Sequence, residues 1–320
     1  MLISNHNRQR PRTRPLHLAF ALSCAIAVPR SVHTQSSALP AASKAPRTSN
    51  ADKHETFDHR PFDDLLHRYV IKGFVDYDAF AHAPQFSLYL ASLAQVKLDA
   101  MNEDERLAFW INAYNAFTIQ LIVSHHETES IRNVNRTLGV LRLKGPWSEP
   151  LVHAAGRTLS LDDVQHTILR KEFAEPRTHF ALACGAIGCP PLRSEAYTGE
   201  KLVDQLNDQG VEFLRKSPTK NHIDTSPVNV ALREPRVDGR PDARPDGRER
   251  PQLRFLYVSP VLMAYRNDFG PARNDLARAL APWFEGTDRT LLEKGRVVVV
   301  ESTFDWTLNS QAQAKARHLM

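Results

Sequence analysis

Only three cysteines, Cys24, Cys184 and Cys189, occur in 320 residues. There is no CxxC pair, and the x4 spacings from His179 to Cys184 and on to Cys189 miss the usual zinc pattern. A phosphate-binding glycine loop, HExxH and GxSxG are also absent, so no cofactor or metal is expected. Acidic residues are missing altogether from positions 1–35, which carry Arg8, Arg10, Arg12, Arg14 and Arg30. Removing those five arginines from the formal charge of +5 leaves 5 − 5 = 0. The balanced remainder excludes nucleic acid as a partner despite a sequence pI near 9.1. Long uninterrupted apolar runs are missing as well. Leu16 to Val28 spans about 13 residues, short for a stable membrane crossing.

What precedes and follows that run fits an export signal: a basic stretch, a short apolar core, then small and polar residues. Residues 1–35 are read as a signal peptide, so an exported, periplasmic or extracellular protein is expected, with no stable membrane span once the signal is removed. Residues 36–56 lack periodicity and read as a disordered leader. If Cys24 leaves with the signal, Cys184 and Cys189 remain, and an even count permits one disulfide closing a short loop.

The chain is organised around Leu107 to Val123, in which 13 of 17 residues are apolar or aromatic. Asn102 is a good N-cap and the acids after it favour the positive end of a helix dipole. Asn112, Asn115 and Gln120 argue for a buried central helix rather than a membrane span. Asn112 and Asn115 share a face, where they either stitch neighbouring backbone or line a polar cleft.

Other elements read more briefly. A helix begins near Pro61 and stops at Gly73, and Phe86 to Leu98 is a second. Asp76 and Asp78 alone make a poor metal site. His125 and His126 suit the C-terminal carbonyls of the central helix. The runs around Ala155-Gly156-Arg157 read as a hairpin, and Ser160 to Asp163 as a capping box opening a helix that carries His166 and Arg170. His179 to Ile187 reads as a buried strand, Lys201 to Lys216 as a helix, Leu253 to Pro260 as a strand, Leu276 to Phe284 as a helix and Arg296 to Glu301 as a buried strand. Residues 231–252 form a low-complexity insertion; the stretch 231–254 holds seven Arg against five acids. The expected fold is α+β, a single domain over 57–310 with a buried central helix, several packing helices and a small sheet, followed by a polar tail at 311–320.

Val75-Asp-Tyr77, Trp110-Ile-Asn-Ala-Tyr-Asn-Ala116, Leu159 to Asp163 with His166 and Arg170, Pro176-Arg177 with His179-Phe-Ala-Leu182, Cys184-Gly-Ala186, Cys189-Pro-Pro-Leu192 and Phe304 to Asn309 occur in order. As a set they resemble the domain of unknown function 547 family over about residues 60–310. That family includes exported bacterial proteins and plant proteins with an added leucine-zipper region. Gln165 stands where the family often has Glu, and the 231–252 insertion looks private to this chain. The resemblance implies a fold but brings no chemistry.

Two functions are therefore carried forward. One is a binding module of the cell envelope, for a small molecule or an envelope protein, with a cleft walled by Asn112, Asn115, His166 and Arg170. Arg170, Arg177 and Arg193 suit an anionic pocket, because arginine grips carboxylates and phosphates bidentately. The other is a cysteine-dependent hydrolase or transferase using Cys184, with His153, His166 or His179 nearby. His166 is the candidate base, with Asp305 or Asn112 as its orienter. Against that, Cys184 reads more simply as a small buried residue or as one half of a disulfide with Cys189. Asp305-Trp306 is expected to pin the C-terminal segment, the Trp by burial and the Asp by charge pairing.

Overall fold

Asn102 starts the helix on which the rest is assembled. Its side chain accepts a hydrogen bond from the Glu105 amide, and α4 then runs Glu103–Ser124. The structure is a computed structural model that describes residues 55–134, 145–224, 253–272 and 274–320. Residues 1–35, read as an export signal, positions 36–54 of the expected leader and the insertion at 231–252 lie outside the described residues. Helix α4 is long and apolar enough to cross a membrane, yet 83% of its most apolar window is buried inside the protein. It is a core helix.

Before it come α1 (Arg60–Tyr69), a tight hairpin of β1 (Val70–Ile71) and β2 (Phe74–Val75), α2 (Tyr77–Ala81) and α3 (Pro84–Leu93). Asp76 caps α2 by accepting from the Ala79 amide, and that hydrogen bond is its structural work. Helix α3 stops at Leu93, short of the Leu98 that the apolar pattern suggests. The Leu93 and Ala94 carbonyls accept from the amides of Ala155 and Gly156 instead. Those two residues form the turn of the expected hairpin, β3 (Val152–Ala154) with β4 (Arg157–Leu159). The capping box at Ser160 and Asp163 is present and opens α5 (Leu161–Asp163), which widens into a π-helical stretch over Val164–Phe173.

The segment His179 to Ile187 is not a strand. It holds a single helical turn, α6 (Thr178–Ala181), then extended backbone with one isolated bridge, Ala186 to Leu308. A short apolar run signals burial, and burial alone does not choose between strand and helix. Side chains replace the missing ladder. Asn115 donates to the Ala181 carbonyl at 3.0 Å and accepts from the Ala183 amide at 2.9 Å. Gly185 (φ +87°) follows, and a Cβ there would lie 2.8 Å from Ile122 Cδ1, so the turn requires glycine.

Helix α7 (Leu202–Leu214) leads to a three-stranded sheet in the order β5 (His222–Ile223), β6 (Arg254–Val258), β7 (Val297–Glu301). Between β6 and β7 lie α8 (Pro260–Ala264), a tight turn at Arg266–Phe269, α9 (Asp275–Leu280) and α10 (Gly286–Glu293). Among the described residues, strand β7 pairs only with β6, in parallel, and at this edge Val298 to Val300 stay half-buried rather than fully buried. The 311–320 tail contains α11 (Gln311–Ala316), which buries Ala314 and ties Gln311 to the Tyr69 carbonyl at 3.0 Å. Two apolar clusters result: one around α4, the other between the sheet, α9 and the C-terminal end of α7.

Candidate functional site

An open cleft of about 510 Å³ lies where the two clusters meet. The α4 side contributes Tyr114, Asp162, His179, Leu182 and Cys184, and the sheet side contributes Val261, Tyr265, Glu301 and Ser302. Trp147, Phe304 and Trp306 add aromatic wall. Among the described residues, no Lys or Arg lines it.

The chemistry concentrates at His179, which the sequence offered only as one of several histidines near Cys184. Its ring is 1% exposed. It lies flat against Tyr265, centroids 4.3 Å apart and planes within 5°. Its Nε2 is 2.7 Å from Asp268 Oδ2. Asp268, in the turn after α8, is gripped bidentately by Arg170: Nε donates to Oδ2 at 2.6 Å and Nη2 to Oδ1 at 2.7 Å. The Arg170 hydrogen bonds hold the Asp268 carboxyl below the usual range, so it is ionised and accepts only. His179 Nε2 must then carry the proton, which leaves a lone pair on Nδ1. Burial lowers the His179 pKa, with Asp268 opposing, and keeps the ring neutral.

That Nδ1 has no partner. Among the described residues, six buried polar side-chain atoms lack one. Three of them, Trp147 Nε1, His179 Nδ1 and Ser302 Oγ, belong to residues lining this one cleft. Buried polar groups are nearly always satisfied, and an orphan costs about 1–3 kcal/mol. Their concentration at one open cavity points to a ligand that satisfies them.

Of the expected site residues, Cys184 lines the cleft and most of the others fall elsewhere. Asn112 and Asn115 are buried away from the cleft, and both ends of each amide are spent on backbone, Asn112 exchanging bonds with Tyr197 at 2.7 and 2.9 Å. They stitch. Arg170, Arg177 and Arg193 form no anionic pocket, because each is paired with its own carboxylate: Asp268, Glu175 and Glu195. His166 stands at the rim, with Nε2 3.9 Å from Asp162 and its ring 5.8 Å from Tyr265. His153 bonds the Thr158 hydroxyl and lines a different hollow. Asp305 pairs with Arg317 at 2.7 Å, as charge pairing requires. Trp306, by contrast, is 38% exposed, with Arg132 over its ring, and walls the cleft instead of filling the core. His125 caps α4 by backbone and bonds Glu149 at 2.8 Å. No group of three or more His, Cys, Asp or Glu suited to a metal occurs among the described residues.

Cys184 lies in the cleft wall and is disulfide-bonded to the fully buried Cys189. In that form it has no thiolate to offer. Asp268 and Tyr265 lie 89 and 86 residues beyond His179, so no local spacing announces them.

An α+β domain with an open cleft, walled mainly by aromatic and apolar side chains and holding a few polar groups, is the class these features define. Residues 98–214 match the family described as "Protein of unknown function, DUF547", and the resemblance drawn from the ordered motifs holds over that stretch. No curated protein and no solved structure matches the chain.

Proposed function

We propose that the protein is an exported binding module whose cleft takes a small ligand rich in hydrogen-bond donors, neutral or positively charged. The three orphaned polar atoms in one cavity carry this reading. His179 Nδ1 accepts, and the carboxylates of Asp162 and Glu301 in the same wall accept as well. Burial raises the Asp162 pKa, with the nearby His166 opposing it. Trp147 Nε1 donates, so the ligand also presents at least one acceptor. The aromatic walls take an apolar or ring face. A ligand carrying amide and hydroxyl groups meets all of these demands, whereas an anion answers Trp147 Nε1 but brings no donor for His179 Nδ1 and is repelled by the two carboxylates.

Thermal stabilisation of the oxidised protein by a panel of N-acetylated sugars, short amides, primary amines, citrate and phosphate tests this. The expected result is a rise in Tm with members of the first three classes, lost in Ser302→Ala and Trp147→Phe, and none with the anions. Stabilisation by the anions alone, or by no member of the panel, overturns it.

A further inference from the structure

The cleft wall that carries His179 also carries Cys184, and nothing in the binding role uses that proximity. A bridge between residues five apart closes a short loop, so as a staple it removes little unfolded-chain entropy. Its two ends are unlike. Cys189 is fully buried, with its carbonyl held at 2.7 Å by Lys220 Nζ, whereas Cys184 is partly exposed and faces the cavity. The same cleft wall carries, five residues earlier in the chain, a neutral imidazole with its tautomer fixed by a gripped carboxylate and its remaining lone pair unpartnered. That is how a base is arranged to take a thiol proton.

We propose that opening the Cys184–Cys189 disulfide turns this cleft into a thiol acyl-transfer site, with Cys184 as nucleophile, His179 as its base and Asp268, held by Arg170, as positioning residue. The inference rests on the cleft being the ligand site. A dithiol supplies the two electrons and two protons: its thiols become one disulfide, and Cys184 and Cys189 become thiols. His179 Nδ1 takes the Cys184 proton. The thiolate then bonds to the carbonyl carbon of an amide or ester in the cleft, and the bond from that carbon to nitrogen or oxygen breaks. The leaving group departs with the proton from His179. Water hydrolyses the thioester to a carboxylic acid and restores the thiol. The charged and titratable groups around His179 are Asp268, Arg170, His166 and Tyr265, with Asp162 and Glu301 in the cleft.

The test is alkylation of the full-length protein by iodoacetamide after dithiothreitol reduction and removal of the reductant. Rates are followed from about pH 5 to about pH 9.5, spanning the ordinary histidine and cysteine ranges, and each adduct is mapped to its cysteine. Cys184 is expected to react at least about 10-fold faster than Cys189 at about pH 6, with an inflection below about 7, as for thiols paired with histidine. His179→Gln should move that inflection to about 8.5, the ordinary thiol value, with the rate at the alkaline end unchanged. Asp268→Asn should move it part of the way. Equal reactivity of the two cysteines, an inflection near 8.5 in the wild type, or a profile unmoved by His179→Gln overturns the proposal. If that variant fails to fold, the wild-type profile decides alone. Ligand stabilisation is read on the oxidised protein, so an ordinary thiol profile with intact stabilisation refutes this inference and leaves the binding module standing.

Discussion

The half of the molecule built on α4 and the half built on β5–β6–β7 treat polar groups differently. Around α4 the interior side-chain amides are spent: among the described residues Asn112, Asn115, Gln205 and Gln209 each bond a backbone carbonyl, and the two orphaned atoms there, His59 Nε2 and Tyr197 Oη, belong to residues outside the cleft lining. The sheet half instead brings Asp268, Tyr265, Glu301 and Ser302 to the boundary, where three of the six orphaned atoms collect. Closed accounting makes a rigid scaffold; open accounting at the seam marks where another molecule is expected. His179 belongs to the first half and is made useful by the second.

Removing a stitch from the α4 half should have the largest effect on stability. Asn115→Ala strips partners from the Ala181 carbonyl and the Ala183 amide together. It is expected to cost about 3 kcal/mol, two buried groups at about 1–3 kcal/mol each with some relaxation. Urea unfolding measures this, and a loss below about 0.5 kcal/mol would mean that the amide is not holding the segment. At the seam, Asp268→Asn removes a bidentate pair whose side chains are 30% and 24% exposed. Screening reduces its worth, and the expected cost is about 1–2 kcal/mol. Ligand stabilisation should fall with it, because His179 is no longer fixed in one tautomer. A variant that lost stability but kept ligand response would break the assignment of the seam as the site.

A pH effect separates the halves further. Burial lowers the His59 pKa to about 3, and its Nδ1 bonds the Tyr89 hydroxyl at 2.8 Å. The unfolded chain takes up that proton near the ordinary value of about 6.5, and the folded state resists it. The contribution of neutral His59 is therefore fully present above about 6.5 and is lost progressively as pH falls toward about 3. His59→Gln should flatten the urea midpoint against pH across that window; an unchanged slope would place the acid sensitivity elsewhere. The smallest effect is expected at Arg289, whose i,i+4 pair with Glu293 is half exposed on both sides. Arg289→Ala should change stability by less than about 0.5 kcal/mol, and a larger loss would show the sheet half to be more tightly coupled than its surface suggests.

The α4 half was legible because its signals are local. Asn102 with its acids, the Ala155-Gly156 turn and the Ser160–Asp163 box each specify their own backbone, and each is found as read. Asn112 and Asn115 were read correctly as sharing a face, with stitching one of two outcomes, because any buried amide needs partners whatever the tertiary detail. Legibility ends where a residue's role depends on a distant one. The partner of Arg170 could not be named from sequence, because Asp268, which holds it, is 98 residues on. His179 to Ile187 looked like a strand because apolarity reports burial and not conformation. Trp306 looked like a core residue because size does not tell a core from a cleft wall. The disulfide was foreseeable from an even cysteine count, but not its place beside His179.

The central claim is that the cleft at the seam is the ligand site, and the indole N–H resonances of the oxidised ¹⁵N-labelled protein test it most directly. Trp147 Nε1 is unpartnered in the cleft, whereas Trp283 Nε1 already donates to the Asn207 carbonyl at 3.1 Å. On titration with a stabilising N-acetylated sugar or amide, the Trp147 resonance should move in a saturable way while that of Trp283 stays fixed. A stabilising ligand that leaves Trp147 unmoved, or shifts Trp283 as much, would contradict the account.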